Sequence, residues 1–263
     1  MSLPRPSMTA IETSALTKRY GETTAVDALD LAVPDGTVYG FLGPNGSGKT
    51  TTMRMLTGLT TPTSGSATVA GVSVTDRTAL RPHIGYLPEE PPLYEQATAY
   101  EQLEYVAGLR DLPQQAAQDR IDDLLDRLGL SPDDAATRIA DYSKGMRQKV
   151  AYVQAVLHRP DIAFLDEPTS GLDPRAARSI RQLIRDLTDE GTTVFLSTHI
   201  LPVVEEIADT VGILYEGRLV AEDTPAQLTQ RAETGETRSL EDAFLELTST
   251  DPATEAAEGT TDD

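Results

Sequence analysis

The sequence has no cysteine, which excludes structural disulfides, cysteine-ligated metal sites and redox chemistry at sulfur, and fits a reducing compartment. Long apolar runs are missing too. No stretch approaches the roughly 18 residues that a membrane-spanning helix needs, and Met1-Ser2-Leu3-Pro4-Arg5 lacks the apolar core of a signal peptide. Any role at a membrane is therefore expected to run through a partner. Lysine is scarce: Lys18, Lys49, Lys144 and Lys149 are the only four among 22 basic residues, set against 42 acidic ones for a net charge of −20. A field of that sign repels nucleic acid, which is not expected as a partner. It also repels any nucleoside triphosphate unless salt screens it, and at about 1 M salt the Debye length is only about 3 Å. Internal repeats of 20–50 residues are absent.

What is present suffices for a real core, since 39% of the 263 residues are hydrophobic. Residues 1–10, with two prolines and no periodicity, read as a disordered start. Over 11–87, β-rich runs at 15–19, 29–33 and 66–69 alternate with turn signals, and one helix interrupts them. Residues 88–159 read as a helical insertion. Tyr100, Leu103, Val106 and Ala107 share one helix face, and Ile121, Leu124, Leu125 and Leu128 share another before Gly129. A third helix has Ser131 as its cap, Pro132 at its first position and Asp134 three residues after the cap. Over 160–215 the αβ alternation resumes: an apolar strand at 162–165 and a β-rich strand at 192–196 flank a helix whose face is Ile180, Leu183, Ile184 and Leu187. A strand at 211–215 and a turn at Glu216-Gly217 open a small C-terminal module over 216–248, with a helix at 240–247, and residues 249–263 read as a disordered acidic tail. The expected fold class is α/β, a core with a mixed, largely parallel sheet, an N-terminal antiparallel β subdomain and an inserted α-helical subdomain.

The chemistry is concentrated in Gly43-Pro44-Asn45-Gly46-Ser47-Gly48-Lys49-Thr50, which matches the P-loop pattern. Its glycines let backbone N–H groups turn inward around phosphate oxygens, Lys49 reaches the β/γ-phosphates, and the Thr50 hydroxyl ligates Mg2+. A strand over 38–42 and a helix over 51–56 supply the flanks, the helix N-terminus adding positive potential. This motif alone leaves kinases, GTPases, helicases and motor-like ATPases open. The run Ile162-Ala163-Phe164-Leu165-Asp166 then delivers a carboxylate at the end of a buried strand, suited to holding Mg2+. Glu167 follows at once, where a second carboxylate polarises a water in line with the γ-phosphate. Pro168-Thr169-Ser170-Gly171-Leu172-Asp173-Pro174 comes next, and His199 follows a further strand. His83 and His158 match no motif and are read as structural.

With these motifs in this order, the chain resembles the nucleotide-binding subunit of ATP-binding-cassette (ABC) transporters over about residues 11–247. The resemblance implies that Tyr20 stacks on the adenine, that residues 43–51, Thr51 included, hold phosphate and Mg2+, and that Asp166 supports the metal. Glu167 becomes the general base, and His199 touches the γ-phosphate. Tyr142-Ser143-Lys144-Gly145-Met146 stands at the signature that contacts the other subunit's γ-phosphate, and Asp173 lies in the loop that crosses the dimer interface. Two residues depart from the family pattern. Glu89 replaces the Q-loop glutamine, keeping an oxygen for Mg2+ and water but adding charge. Lys144 replaces the first signature glycine and brings positive charge toward phosphate, while Ser143 and the Gly145 N–H remain as donors. This signature, with the segment at 240–247, resembles the branch serving exporter-type permeases. Its cofactors are then ATP and Mg2+, its partners a second copy and an integral-membrane permease, and its place the cytoplasmic face of the cell membrane. The alternatives are a soluble ABC ATPase of DNA repair or translation, which carries coiled coils or tandem cassettes not found here, and a non-hydrolysing ATP-binding module. The acidic, lysine-poor composition resembles that of proteins from extreme halophiles.

Overall fold

The computed structural model describes residues 9–231, 240–241 and 244–245. In chain order it opens with β1 (Thr9–Tyr20), β2 (Thr23–Pro34), β3 (Val38–Leu42), α1 (Lys49–Leu56), β4 (Ser64–Val69), β5 (Val72–Ser73), α2 (Arg77–Leu80) and β6 (Ile84–Leu87). The insertion carries α3 (Ala99–Leu109), α4 (Gln114–Arg127), α5 (Pro132–Ala135) and α6 (Lys144–Val156). Then follow β7 (Ile162–Asp166), α7 (Pro174–Asp189), β8 (Thr193–Thr198), α8 (Leu201–Ile207), β9 (Thr210–Tyr215), β10 (Arg218–Asp223) and α9 (Pro225–Arg231).

Two sheets organise these elements. One is antiparallel, in the order β2-β1-β4-β5; the other has the order β10-β9-β3-β8-β7-β6 and is parallel except for β10. Every residue of β3, β7 and β8 is buried, because side chains alternate between two covered faces. Val38, Leu42, Ala163, Leu165, Val194 and Leu196 join the core built with the helices. Tyr39, Phe41, Ile162, Phe164 and Phe195 join the core beneath the antiparallel sheet and α1. There the Phe195 ring stacks on Tyr39 at 5.2 Å and lies 5.2 and 5.7 Å from Phe41 and Phe164. α7 buries Ile180, Leu183, Ile184 and Leu187 as the crossover between the adjacent parallel strands β7 and β8.

The structure corrects several details. Thr9 and Ala10, assigned by the sequence to a disordered start, are the first residues of β1. The short helix α2 joins α1 as a second interruption of the β-rich segment. The helix at Ser131 is one turn long: Ser131 does accept from the Asp134 N–H, but a 3-10 turn at Ile139–Asp141 and the separate helix α6 follow. The strand after Glu216-Gly217 pairs with β9 as the edge of the core sheet. Of the helix read at 240–247, Leu240, Glu241, Phe244 and Leu245 are described and helical. The readings at residues 1–8 and 249–263 lie outside the described residues.

Candidate active site

Between β3 and α1 the chain closes into a tight loop. A side chain at Gly43 would put its Cβ 2.4 Å from the Leu214 carbonyl and from Ser47 Oγ, and at Gly48, where φ is +109°, it would meet the Ala25 carbonyl at 2.4 Å. Only glycine fits both places. The Ser47 N–H donates to the Pro44 carbonyl at 3.1 Å, and Lys49 Nζ folds back to donate to the carbonyls of Gly43 at 2.7 Å and Pro44 at 3.1 Å. The turn between β9 and β10 braces the loop from outside: the Gly217 N–H donates to the Ser47 carbonyl at 2.9 Å, and the Asp27 N–H to the Gly217 carbonyl at 2.9 Å. Burial lowers the proton affinity of the Lys49 amine, while Glu167, Asp166 and Glu89 push it back up.

The carboxylates arrive at the end of β7 and are aligned by polar residues at the end of β8. Ser197 Oγ donates to Asp166 Oδ1, Thr198 Oγ1 to Glu167 Oε2 at 3.0 Å, and His199 Nδ1 lies 2.8 Å from Glu167 Oε1. A carboxylate only accepts, so Nδ1 carries the proton in that contact. Glu167 has φ of 49°, a left-handed conformation that costs a residue with a side chain about 1–3 kcal/mol. Its N–H is tied to the Ser197 carbonyl at 3.0 Å, which holds it there.

One cavity of about 360 Å³ gathers Asn45, Gly46, Gly48, Lys49, Thr50, Thr51, Glu89, Asp166, Glu167 and His199, together with Ala25, which sequence reading missed. Gly43, Pro44 and Ser47 do not line it and belong to the same loop, tied in by the hydrogen bonds above. The cavity fits a magnesium-bound phosphate chain. Asp166 Oδ2 is buried on this cavity with no hydrogen-bond partner among the described residues. Such an atom calls for a cation or a donor. With the Thr50 hydroxyl and the Glu89 carboxylate, it forms the oxygen-rich set that a hard cation takes.

Other site residues stand apart from this cavity. Tyr20 is 50% exposed at the end of β1, with Lys18 Nζ 5.0 Å from its ring centre. Ser143 caps α6, its Oγ accepting from the Met146 N–H at 3.3 Å, so Lys144 and Gly145 occupy the first turn of a helix. Asp173 caps α7, and the N–H groups of Ala176 and Arg175 hold its carboxyl below the usual range. These two caps are neighbours: a Cβ on Gly145 would lie 3.8 Å from Asp173 Oδ2, and one on Gly171 would lie 2.5 Å from Lys144 Nζ.

Comparison with known proteins agrees with this geometry. The sequence model of the family described as ABC transporter matches residues 26–170. The bacitracin transport ATP-binding protein BcrA of Enterococcus faecalis is 40% identical over 223 residues, covering 84% of this chain and 71% of that protein. The daunorubicin/doxorubicin resistance ATP-binding protein DrrA of Streptomyces peucetius is 42% identical over 221 residues (83% and 66%). The probable multidrug ABC transporter ATP-binding protein YbhF of Escherichia coli is 36% identical over 245 residues (92% and 42%). The chain thus spans less than half of YbhF and about two thirds of the other two. Among solved structures, an ATP-binding subunit of an ABC transporter superposes with a TM-score of 0.83 at 32% identity, covering 91% of this chain and 99% of that one. A dimeric cassette in a post-hydrolysis state, bound to ADP and Pi, superposes at 0.75 with 25% identity (81% and 98%). On the family match and these identities, the chain belongs to the ABC transporter family, as one of its ATP-binding subunits.

Proposed function

We propose that two copies of this chain bind two Mg-ATP between them, hydrolyse the nucleotide, and drive export through a separate membrane permease from the cytoplasmic face. The observation that carries this reading is the gathering of Lys49, Thr50, Asp166, Glu167 and His199 on one cavity, while Ser143, Lys144, Gly145 and Asp173 cluster elsewhere. The second group then completes the site of the other copy, its α6 N-terminus offering N–H donors to phosphate. Lys49 and the loop N–H groups bind the phosphates, and Thr50, Asp166 and Glu89 supply oxygens for the metal. Magnesium, when bound, neutralises phosphate charge and favours attack at phosphorus. Glu167 takes the proton of the attacking water: a carboxylate has about four lone-pair sites, and Thr198 and His199 use two. Nε2 is the His199 nitrogen left to face phosphate, and Tyr20 offers its exposed ring to the adenine. Export is supported by the relatives named for bacitracin transport and for daunorubicin/doxorubicin resistance. No described helix is long and apolar enough to cross a membrane; in this reading the pathway lies on another chain.

The reading is tested by nucleotide binding and by the protein that co-purifies from membranes. Occupancy by ATP and a multi-helix permease support it; a coiled-coil or ribosomal partner overturns the transport role. Replacing Glu89 by glutamine is expected to keep ATPase activity within about tenfold, because the metal-facing oxygen survives and only a charge is lost. Complete loss in a steady-state assay would show that Glu89 does more than offer an oxygen.

The net charge of −20 supports salt adaptation. Raising KCl from about 0.1 M to about 2 M should increase both the ATPase rate and the melting temperature, since screening relieves the repulsion among surface carboxylates and toward ATP. Activity highest at low salt and falling steadily contradicts it.

A further inference from the structure

A polar cavity of about 820 Å³ opens where Pro160 and Asp161 lead into β7 and where Gly191 and Thr192 lead into β8. α4 of the insertion lines it as well. The two parallel strands thus run from this cavity at their N-terminal ends to Asp166, Glu167 and His199 at their C-terminal ends.

Three guanidinium groups and four carboxylates line the cavity, and they are unequally served. Every carboxylate has a partner. Asp119 Oδ1 accepts from Gln115 Nε2 at 2.9 Å, Asp123 Oδ1 from Arg127 Nε at 3.1 Å and Glu190 Oε1 from Arg127 Nη1 at 3.1 Å, while Asp161 Oδ2 lies 2.6 Å from His83 Nδ1. Arg120 is not so provided. Its side chain is only 9% exposed, yet it makes no hydrogen bond among the described residues: Glu190 and Asp123 stand off at 3.7 and 3.9 Å, and its Nε is buried without a partner. Arg159, exposed on the turn into β7, has neither a hydrogen bond nor an ion pair through its side chain among the described residues. The guanidinium groups also crowd one another. Burial lowers the proton affinity of Arg120, and Arg159 and Arg127 lower it further against the pull of Glu190 and Asp123. A buried guanidinium with nothing at hydrogen-bond distance calls for an acceptor.

We propose that this cavity binds a small zwitterion, its carboxylate held by Arg120 and Arg159 and its ammonium group by Asp119 and Asp161. Guanidinium groups select a planar carboxylate, which takes their N–H donors in parallel pairs. The four carboxylates on the walls repel phosphate and every other multiply charged anion, and Asp119 and Asp161 each bond their partner through one oxygen, leaving the other for a cation. A ligand of no net charge also approaches a chain of net charge −20 without the repulsion that a lone anion meets. The volume leaves room for a short carbon chain between the two charges. This site is separate from the nucleotide cavity and stands whether or not the chain hydrolyses ATP.

Saturation-transfer NMR titrations on the full chain, in about 0.15 M KCl, read binding directly. The probes are glycine and 4-aminobutyrate, zwitterions of different length, with acetate and methylammonium as the separate charges and inorganic phosphate as a competitor. At least one zwitterion should bind with a Kd of about 1 mM, the affinity that two hydrogen bonds to charged groups supply, and about tenfold or more tighter than acetate or methylammonium. Arg159→Gln should weaken it by about tenfold. That side chain has no partner to lose among the described residues, so the variant should melt with the wild type. Asp119→Asn combined with Asp161→Asn keeps the oxygens that Gln115 and His83 use and should erase the preference for the zwitterion over acetate. Saturating Mg-ATP should leave the titration unchanged. Failure of both zwitterions to bind, acetate binding as tightly, displacement by phosphate at equal concentration, or indifference to Arg159→Gln overturns the proposal. So does displacement by Mg-ATP, which puts the probe in the nucleotide cavity. The comparison of probes on the wild type decides the ligand class even if a variant unfolds.

Discussion

Changing Glu167 to glutamine is expected to lower kcat for ATP hydrolysis by about 10²- to 10⁴-fold, the range that a positioned general base contributes. The substitution keeps the size and one carbonyl oxygen of the side chain, so Thr198 Oγ1, now 3.0 Å from Oε2, retains an acceptor. What disappears is the lone pair that receives a proton from water. Nucleotide binding should survive, because the residues that hold phosphate are the loop N–H groups and Lys49. KM is expected to change far less than kcat, the pattern of an interaction made in the transition state. The variant, incubated with Mg-ATP in high salt, should retain uncleaved ATP and elute as a stable dimer. Wild-type rates in the variant would remove Glu167 as the base and leave His199, the remaining titratable group against it, to be tested next.

Lys49→Ala carries the second large effect, on binding rather than turnover. The amine donates to the carbonyls of Gly43 and Pro44 and lies within the influence of Glu167, Asp166 and Glu89. Removing it takes away the one positive charge among the residues lining the cavity apart from His199, and leaves the three carboxylates facing the triphosphate. A hydrogen bond to a charged group contributes about 1.5–3 kcal/mol, so loss of two phosphate contacts predicts an affinity about 10²-fold or more weaker. Isothermal calorimetry with Mg-ATP reads this directly. The variant should melt close to the wild type, since the loop glycines and the Gly217 brace are untouched. Unfolding instead of weakened binding would show that the amine chiefly holds the loop together.

The fold was legible where residue patterns have one physical meaning. Burial on both faces explains why the apolar run 162–165 and the β-rich run 192–196 read as strands, and the spacing of Ile180, Leu183, Ile184 and Leu187 could only be a helix face. Boundaries were harder. Ser131 carries a proper cap, yet its helix stops after one turn, because nothing in a cap says how far the helix runs. The helix that starts at Lys144 was hidden by its own motif: Ser143 was read for its family role and not as the cap it also is. In the candidate site, the residues with charged or phosphate-binding groups were found, while those that aim them were not. Ser197 and Thr198 are fully buried polar residues that follow the apolar run Val194–Leu196, and that mismatch was the available signal. Ala25 left none, since its contribution is a backbone carbonyl set by tertiary contact.

The hydrogen bond from Gly217 to Ser47 gives the hairpin formed by β9 and β10 an unexpected office. The smallest fragment able to grip a triphosphate has to extend past every recognisable motif and take in that hairpin, although none of its residues lines the cavity. A displacement of the hairpin turn therefore reaches the phosphate cradle through one backbone hydrogen bond.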